Sequence, residues 1–445
     1  MTVITDIGNS EGYQRVPSPK AVLMMSTLVI QPLAPVYGTP VVAHTLRAYL
    51  KAGWTVYLVV GFKPDPVDDE LVKQLHISWF VIPLLRTLGR LRKIGFFARA
   101  VWWAIAQVLF FAKGFHIISK HKVDLVYTWD VDAAPAAWVL SKLFGIPWVA
   151  RYLGSFLYNQ MKSVAWKVRC WQQVLAYKLP ADLIIMTDDG TLGDVVLEKL
   201  GVDRDKIRFW MNGVDKQAFF ALPPKEIARQ SLGITTKYVL LAVSRLDSWK
   251  RVDRIISAMP GVISKIPETT LVVIGDGPER HALQKLAREL GVAGHVRFFG
   301  SVRHEEVPLY YAAADVFVSL YDVSNVGNPL LEAMVAGKCC VALDVGGTSK
   351  IVKHGVTGIL VAKEQLDSLD QVLVSLLENQ PLRERLGANA REWAWQHLKT
   401  WDERLEQELL EVEKLLSAEL PHKAWHRKSW SQRSGMANDA EDHSG

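Results

Sequence analysis

Residues 21–30 (AVLMMSTLVI) are mostly apolar and lie between Lys20 and the pair Gln31-Pro32, which is the length and bounding of a buried strand. A loop carrying Pro and Gly follows over 31–40. Apolar positions then recur at helical spacing over 41–52, and Gly53 precedes a second strand over 54–60. This is one strand–loop–helix–strand unit, and it predicts a parallel pair with a right-handed crossover. The pattern repeats. A short apolar strand over 123–128 ends in Trp129-Asp130, a helix over 133–144 closes at Gly145, and Pro147 introduces a strand over 148–152. Another strand spans 183–186. Residues 213–237 are of mixed polarity, contain Pro223-Pro224, and read as a crossing between two units. The alternation then restarts. Strands are predicted over 238–243, 270–274, 296–299, 316–320 and 340–343, with helices over 251–266 and 281–290 between them. Two doubly wound α/β domains facing across a cleft are the expectation. The boundaries read as a polar tail over 1–20, a first domain over 21–215, a second over 216–388, a helical segment over 389–420 crossing back to the first domain, and a polar tail over 421–445.

Composition narrows the class. The chain has 445 residues, 49% hydrophobic and 22% charged, which fits folded globular domains and excludes general disorder. The net charge of +6 is mild, but it is unevenly spread. Residues 84–122 hold eight Lys and Arg and no acid, which suits an acidic partner such as a lipid surface or a phosphate group. Three cysteines, two of them adjacent, exclude a disulfide framework and fit a reducing compartment. Residues 1–20 are polar, unlike a secretory signal. The most membrane-like stretch, residues 94–118, is interrupted by Arg99 and Lys113. Only about 13 residues separate those charges, against about 20 needed to cross a bilayer. A cytoplasmic protein, soluble or peripheral on the inner membrane face, is expected. Residues 84–116 interleave aromatic and basic positions. They fit either helices packed inside the first domain or an amphipathic surface that reaches a lipid-linked acceptor.

In open parallel sheets, ligands bind beyond the carboxyl ends of the strands. After the strand at 238–243 come Arg245 and Lys250, two cations suited to a diphosphate. After the strand at 316–320 comes a small-residue loop, and then Asn328, Pro329 and Leu330 open a helix whose free amides and dipole favour phosphate. Glu332, one turn in, is placed to accept hydrogen bonds from ribose hydroxyls. Gly275 reads as a turn and as a ligand contact. Asp130-Val131-Asp132 resembles a metal-binding pair, but a contact to the acceptor or a helix cap at Asp132 suits it better. The histidines show no metal-ligand spacing.

The stretches SRLDSWK, VVIGDGPER, VRFFGSV, YYAAADVFVSL, GNPLLEAMVAGKCCVA and GVTGILV resemble, in order and spacing, the donor-binding domain of family 4 glycosyltransferases, retaining enzymes of GT-B fold. The first half is similar more loosely, through Gly38, GIPWV and WMNGVD. The resemblance implies a transferase that moves sugar from a UDP- or GDP-linked donor, with no metal or other cofactor. The implied acceptor is a saccharide or lipid-linked saccharide, as in surface or exopolysaccharide synthesis. By position it assigns Arg245 and Lys250 to the diphosphate, Glu332 to the ribose, and the amides near Asn328 to Leu330 to phosphate or sugar. It places Phe299, Gly300 and Val302 beside the base, and Gly38 where the acceptor-domain loop approaches the donor. Two positions depart from the family pattern. Ser324 stands where a glutamate is usual, with Asp322 and Asn325 flanking it as substitute sugar contacts. Leu153-Gly154 stands where many relatives carry histidine before glycine, so no general base is named. A nucleotide-sugar epimerase or hydrolase on the same fold, or a homologue that binds without turnover, are the competing readings.

Overall fold

The computed structural model describes residues 19–27, 40–61, 73–80 and 96–418. Gly38, the tail over 421–445, residues 84–95 and all but the last two residues of the first tail lie outside the described residues.

Among the described residues, thirteen strands form two sheets in which every neighbouring pair is parallel. The first sheet holds β1 (Ala21–Ser26), β2 (Thr55–Val60), β3 (His76–Trp79), β4 (Leu125–Thr128), β5 (Trp148–Tyr152), β6 (Leu183–Thr187) and β7 (Ile207–Trp210). Its order is β3-β2-β1-β4-β5-β6-β7. The second holds β8 (Tyr238–Val243), β9 (Thr269–Ile274), β10 (Val296–Gly300), β11 (Val316–Ser319), β12 (Cys339–Leu343) and β13 (Ile359–Val361), ordered β10-β9-β8-β11-β12-β13. Helices cover both faces, so central strands such as β1, β6 and β12 are buried at every position. That double burial is why they are near-continuous apolar runs. In both sheets the strand order reverses at one seam, β1 against β4 and β8 against β11, and the carboxyl ends there are the ligand-binding crevices of such folds.

Three strands escaped the sequence pattern: β3, β7 and β13. All are sheet edges of three or four residues, too short to show a period. β1 ends at Ser26, and residues 28–30 of the expected strand lie outside the described residues. There the chain is pinned to β4, as the Ser26 hydroxyl and the Thr27 amide donate to Asp130 Oδ2 at 2.7 and 2.6 Å.

The C-terminal segment crosses back in two helices, not one. Gln380–His397 packs on the second unit, with Ala390, Ala394 and Leu398 in its core. Val214 then pairs with Thr400, and Trp401–Ser417 packs on the first unit against the Pro40–Lys51 helix. Trp401 stacks on His44 at 4.4 Å between ring centroids.

The Phe96–Lys120 helix packs into the first unit along one side and leaves apolar side chains exposed along the other. Trp103, Ala106, Phe110, Ile117 and Ile118 are buried against the first sheet and the Ala134–Phe144 helix. Gly114 permits the close approach, since a Cβ there would collide with Leu140. Val101, Ile105, Val108 and Phe115 face outward, exposed. By length and composition Ala100–Lys120 is apolar enough to cross a membrane, with 33% of its most apolar window buried inside the protein.

Candidate active site

The seam between β8 and β11 joins two loops. The Tyr321 hydroxyl donates to Val243 O at 3.0 Å, and the Asp322 amide donates to Trp249 O at 3.0 Å. Between them Lys250 Nζ sits 3.9 Å from the ring centroids of both Trp249 and Tyr321. No carboxylate lies within ion-pair distance of it among the described residues. Burial draws its pKa down to about 8, while the charges of Asp247 and Asp189 hold it up and Arg245 opposes them. Arg245 is mostly exposed and pairs with Asp247 at 2.9 Å. One cation is therefore half-buried and fixed by rings, and the other is free to swing onto a ligand.

Asp322 and Asn325, expected to contact sugar hydroxyls, are committed to protein partners instead. Asp322 pairs with Arg254 at 2.6 Å and Arg251 at 3.4 Å. Asn325 is fully buried. Its Oδ1 accepts from Ser319 Oγ and the Tyr321 amide, and its Nδ2 donates to Leu343 O. Both side chains shape the loop that presents Tyr321 to Lys250.

The Asn328–Val335 helix starts from Gly327, which offers no side-chain cap, and Pro329 has no amide hydrogen to satisfy. The Asn328 amide has no protein partner among the described residues. Asn212 Nδ2, from beyond β7 of the first unit, donates to Asn328 Oδ1 at 3.2 Å. Leu330 is buried, and its amide closes the first turn onto Gly327 O at 3.0 Å. Glu332 is buried, with Tyr311 Oη 3.2 Å from its Oε2 and 2.8 Å from Pro329 O. Burial raises the Glu332 pKa, the charge of His304 and the Tyr311 hydrogen bond lower it, and Asp215 raises it. Phe299 lies edge-on to Tyr310 at 5.1 Å, and it packs with Val302 at the margin of the second core. Gly300 has φ +74° and accepts at its carbonyl from the Gly275 amide at 2.7 Å. Gly275, with φ +117°, has a structural reason of its own, because a Cβ there would collide with Ser244 O at the end of β8.

On the first unit, Asp130 clasps the turn that precedes the Ala134–Phe144 helix to the end of β1. Its Oδ1 accepts from the Asp132 and Ala133 amides, while its Oδ2 ties down the end of β1. The cap expected of Asp132 is not formed: the Ala134–Phe144 helix has no side-chain cap at Ala133, and Gln107 Oε1 accepts from its Ala136 amide. Asp132 accepts from Thr27 Oγ1 at 3.3 Å, and burial beside Asp130 pushes its pKa up to about 6. Leu153 packs into the first core. Gly154 has φ +92°, and the space its side chain would take is filled by the Asp189 carboxylate. Ser324 crosses from the second unit and donates to Asp189 O at 2.6 Å, and the Gly347 amide donates to Gly190 O at 2.7 Å. Phe156 meets Trp249 edge-on at 5.8 Å. The two units are therefore in contact around Lys250.

Comparison with known proteins gives this cleft a family. The model for Glycosyltransferase Family 4 matches residues 38–218, and that for Glycosyl transferases group 1 matches residues 224–393. A GDP-mannose-dependent alpha-(1-6)-phosphatidylinositol monomannoside mannosyltransferase of Mycobacterium tuberculosis is 32% identical over 304 residues, which are 64% of this chain and 74% of the relative. The chain belongs to glycosyltransferase family 4. Among solved structures, this glycosyltransferase is similar to the sucrose-phosphate synthase of Thermosynechococcus elongatus, with TM-score 0.71 at 23% identity over 90% of this chain and 100% of the other. It is also similar to Anabaena Alr3699/HepE in complex with UDP and glucose, with TM-score 0.68 at 20% identity over 89% and 99%. These likenesses establish the GT-B fold.

The glycosyltransferase cleft thus brings Arg245, Lys250, Asn328, Pro329, Leu330 and Glu332 to one seam, with Gly275, Phe299, Gly300 and Val302 on its β9–β10 side. Trp249, Tyr321, Tyr311 and Asp189 are the residues that sequence reasoning missed. Trp249 lay inside the SRLDSWK motif, and Asp189 follows the carboxyl end of β6, so the strand-end rule would have pointed to both.

Proposed function

We propose that this glycosyltransferase takes a sugar from a nucleoside-diphosphate donor and transfers it, with retained configuration, to a lipid-linked saccharide or lipid acceptor at the inner face of the cell membrane. Surface or exopolysaccharide assembly is the process this chemistry fits. The observation that carries the reading is Lys250, a half-buried cation set between two rings without a carboxylate partner among the described residues, at the seam where such sheets bind ligands. A leaving diphosphate would receive its charge compensation from Lys250, from Arg245 and from the free start of the Asn328–Val335 helix. These groups supply it without a metal ion. Glu332 would hold the ribose, and Phe299 to Val302 would flank the base. GDP-mannose is the first donor to test, because the mycobacterial relative is named for it, and the UDP-bound neighbour makes UDP-sugars the second. The lipid acceptor rests on the outward apolar stripe of the Phe96–Lys120 helix, set in a stretch of chain without acids.

The test is nucleotide release from a panel of GDP- and UDP-sugars, each with and without bacterial lipid extract. Release from one donor only with lipid is expected. Lys250→Ala should lower it about tenfold or more, since a hydrogen bond to a charged group is worth about 1.5–3 kcal/mol. Near wild-type turnover by that variant would remove the diphosphate assignment, and release without any acceptor would favour an epimerase or hydrolase.

A further inference from the structure

We propose that Asp189 is a sugar-binding carboxylate of the transfer site, reaching across the cleft from the first unit to accept hydrogen bonds from hydroxyls of the donor's sugar ring. The inference rests on the donor assignment above and deepens it.

Four observations meet at this residue. Asp189 lies two residues beyond the carboxyl end of β6, the side on which the first sheet presents its ligand-binding loops. Its two carboxylate oxygens are used unequally. Oδ1 accepts from Thr191 Oγ1 at 2.5 Å and from the Thr191 amide at 3.1 Å, whereas no other residue's donor reaches Oδ2 among the described residues. The carboxylate is held against Gly154 and in the field of Lys250, whose protonated form it favours. Ser324 donates to Asp189 O, and the amide of Asp322 in the same loop donates to Trp249 O beside Lys250, so a sugar joined to a diphosphate at Lys250 would lie toward Asp189. Finally, the loop is locked to the donor-side unit, with Ser324 Oγ on Asp189 O and the Gly347 amide on Gly190 O.

One departure from the family pattern, Ser324, meets the retained Gly154 here. Ser324, where the family usually has glutamate, spends its hydroxyl hydrogen on Asp189 O. Gly154, in the place beside the missing histidine, leaves room for the Asp189 carboxylate. A serine and a glycine together admit a carboxylate from a third position. Burial pushes the Asp189 pKa up to about 6, with the Thr191 hydrogen bonds opposing and Asp188 assisting, so at neutral pH the group is an anion in a poorly hydrated place. Such an anion is a strong acceptor for hydroxyl hydrogens. A single carboxylate oxygen can take hydrogens from two adjacent sugar hydroxyls, and epimers that redirect one of them would lose a bond.

The experiment is isothermal titration of the full chain with GDP, UDP, GDP-mannose and UDP-glucose, for wild type, Asp189→Asn and Thr191→Val. Asp189→Asn keeps the shape and removes the charge. The expected result is that the matching nucleotide sugar loses about tenfold or more in affinity beyond whatever the nucleotide alone loses through the weaker field on Lys250, the size of one charge-assisted hydrogen bond. Thr191→Val leaves Oδ2 in place and should keep most of the sugar's added affinity. Equal losses for nucleotide and nucleotide sugar, or a Thr191→Val effect as large as that of Asp189→Asn, would reduce Asp189 to a loop support and overturn the proposal. So would unchanged binding of both with slowed transfer, which would move the carboxylate to the acceptor. A wild type that binds none of the four overturns the donor reading as well, whereas wild-type binding with an indifferent Asp189→Asn overturns this inference alone.

Discussion

Lys250 carries its charge into a slot between the Trp249 and Tyr321 rings, and burial brings its pKa from the usual amine range to about 8. The sign of the consequence is fixed. Between about pH 8 and the ordinary lysine pKa the unfolded chain binds more protons than the folded one, so folding stability rises with pH across that window, and the penalty is fully present below it. Donor binding runs the other way, because a diphosphate needs the ammonium. The donor kcat/KM should therefore be flat from about pH 6.5 to 7.5 and fall as pH rises through about 8. In Lys250→Arg the fall at that pH should disappear, whatever the variant's absolute rate, because guanidinium does not titrate there. A pH profile of both proteins reads this directly, and an identical fall in the two would assign the titration to another group. The motifs made Arg245, Lys250 and Glu332 legible in the sequence, since their spacing along the chain is itself the signal. The Trp249–Tyr321 sandwich and the Asp189–Gly154 contact were not legible, since each depends on two loops that meet only once both strand ends are in place.

The Trp401–Ser417 helix is held to the first sheet by charge as well as by apolar packing. Glu408 is wholly buried. It accepts from the Tyr127 hydroxyl at 2.7 Å, from Arg151 Nη1 at 3.1 Å and from Arg404 Nη1 at 3.1 Å. Arg151 also donates to Thr45 Oγ1, and Arg404 lies over the Trp210 ring at 4.4 Å. Removing the one anion leaves two buried guanidinium groups facing each other. Glu408→Ala should accordingly destabilise the first unit by about 3–5 kcal/mol, seen as an earlier urea midpoint, while donor binding by the second unit persists. Glu408→Leu combined with Arg151→Met and Arg404→Met should recover much of that loss, because a buried ion triad replaced by apolar side chains of similar size is often neutral or stabilising. A Glu408→Ala protein as stable as wild type would show that the two arginines find other partners. Most elements of this fold were readable. Each long strand is a bounded apolar run, and the start of this last helix is written in Thr400 and Glu403, whose side chains cap each other's amides. The break at residues 398–400 was nevertheless passed over, because helix-forming residues lie on both sides of the Thr400–Glu403 signal. The chain bends there because Val214 pairs with Thr400 and draws the following helix onto the first unit. Short edge strands were hidden for the opposite reason, since three or four residues carry no period.

Across the whole molecule, polarity is divided between the two halves of the cleft. From residue 71 to 181 the chain contains only three acids, Asp124, Asp130 and Asp132, and each carboxylate is bonded back to the chain at the ends of β1 and β4. Exposed apolar side chains gather in the same stretch: Val101, Ile105, Val108 and Phe115 on one helix, Val139 and Leu143 on its neighbour, then Val164 and Val168. Inside a monomer such a surface would be an aggregation liability, and beside a bilayer it is a means of attachment. Lys113, Lys142, Lys162 and Lys167 lie between the apolar positions, so apolar insertion and attraction to anionic headgroups would act together. The protein should therefore co-sediment with vesicles containing phosphatidylglycerol, less with purely zwitterionic vesicles, and less again as salt is raised, because the electrostatic part is screened over about 10 Å at 0.1 M salt. Ile105→Glu with Val108→Glu changes two outward positions that pack on nothing in the first core. Those changes should abolish vesicle binding while leaving thermal stability and titration with free nucleotide intact. Transfer to a lipid-dispersed acceptor should then drop through a higher acceptor KM with little change in kcat on a detergent-solubilised one. Undiminished co-sedimentation of that variant would place the contact elsewhere on the first unit. Loss of binding together with loss of nucleotide affinity would mean that the outward stripe supports the fold, and that the acceptor reaches the cleft from solution.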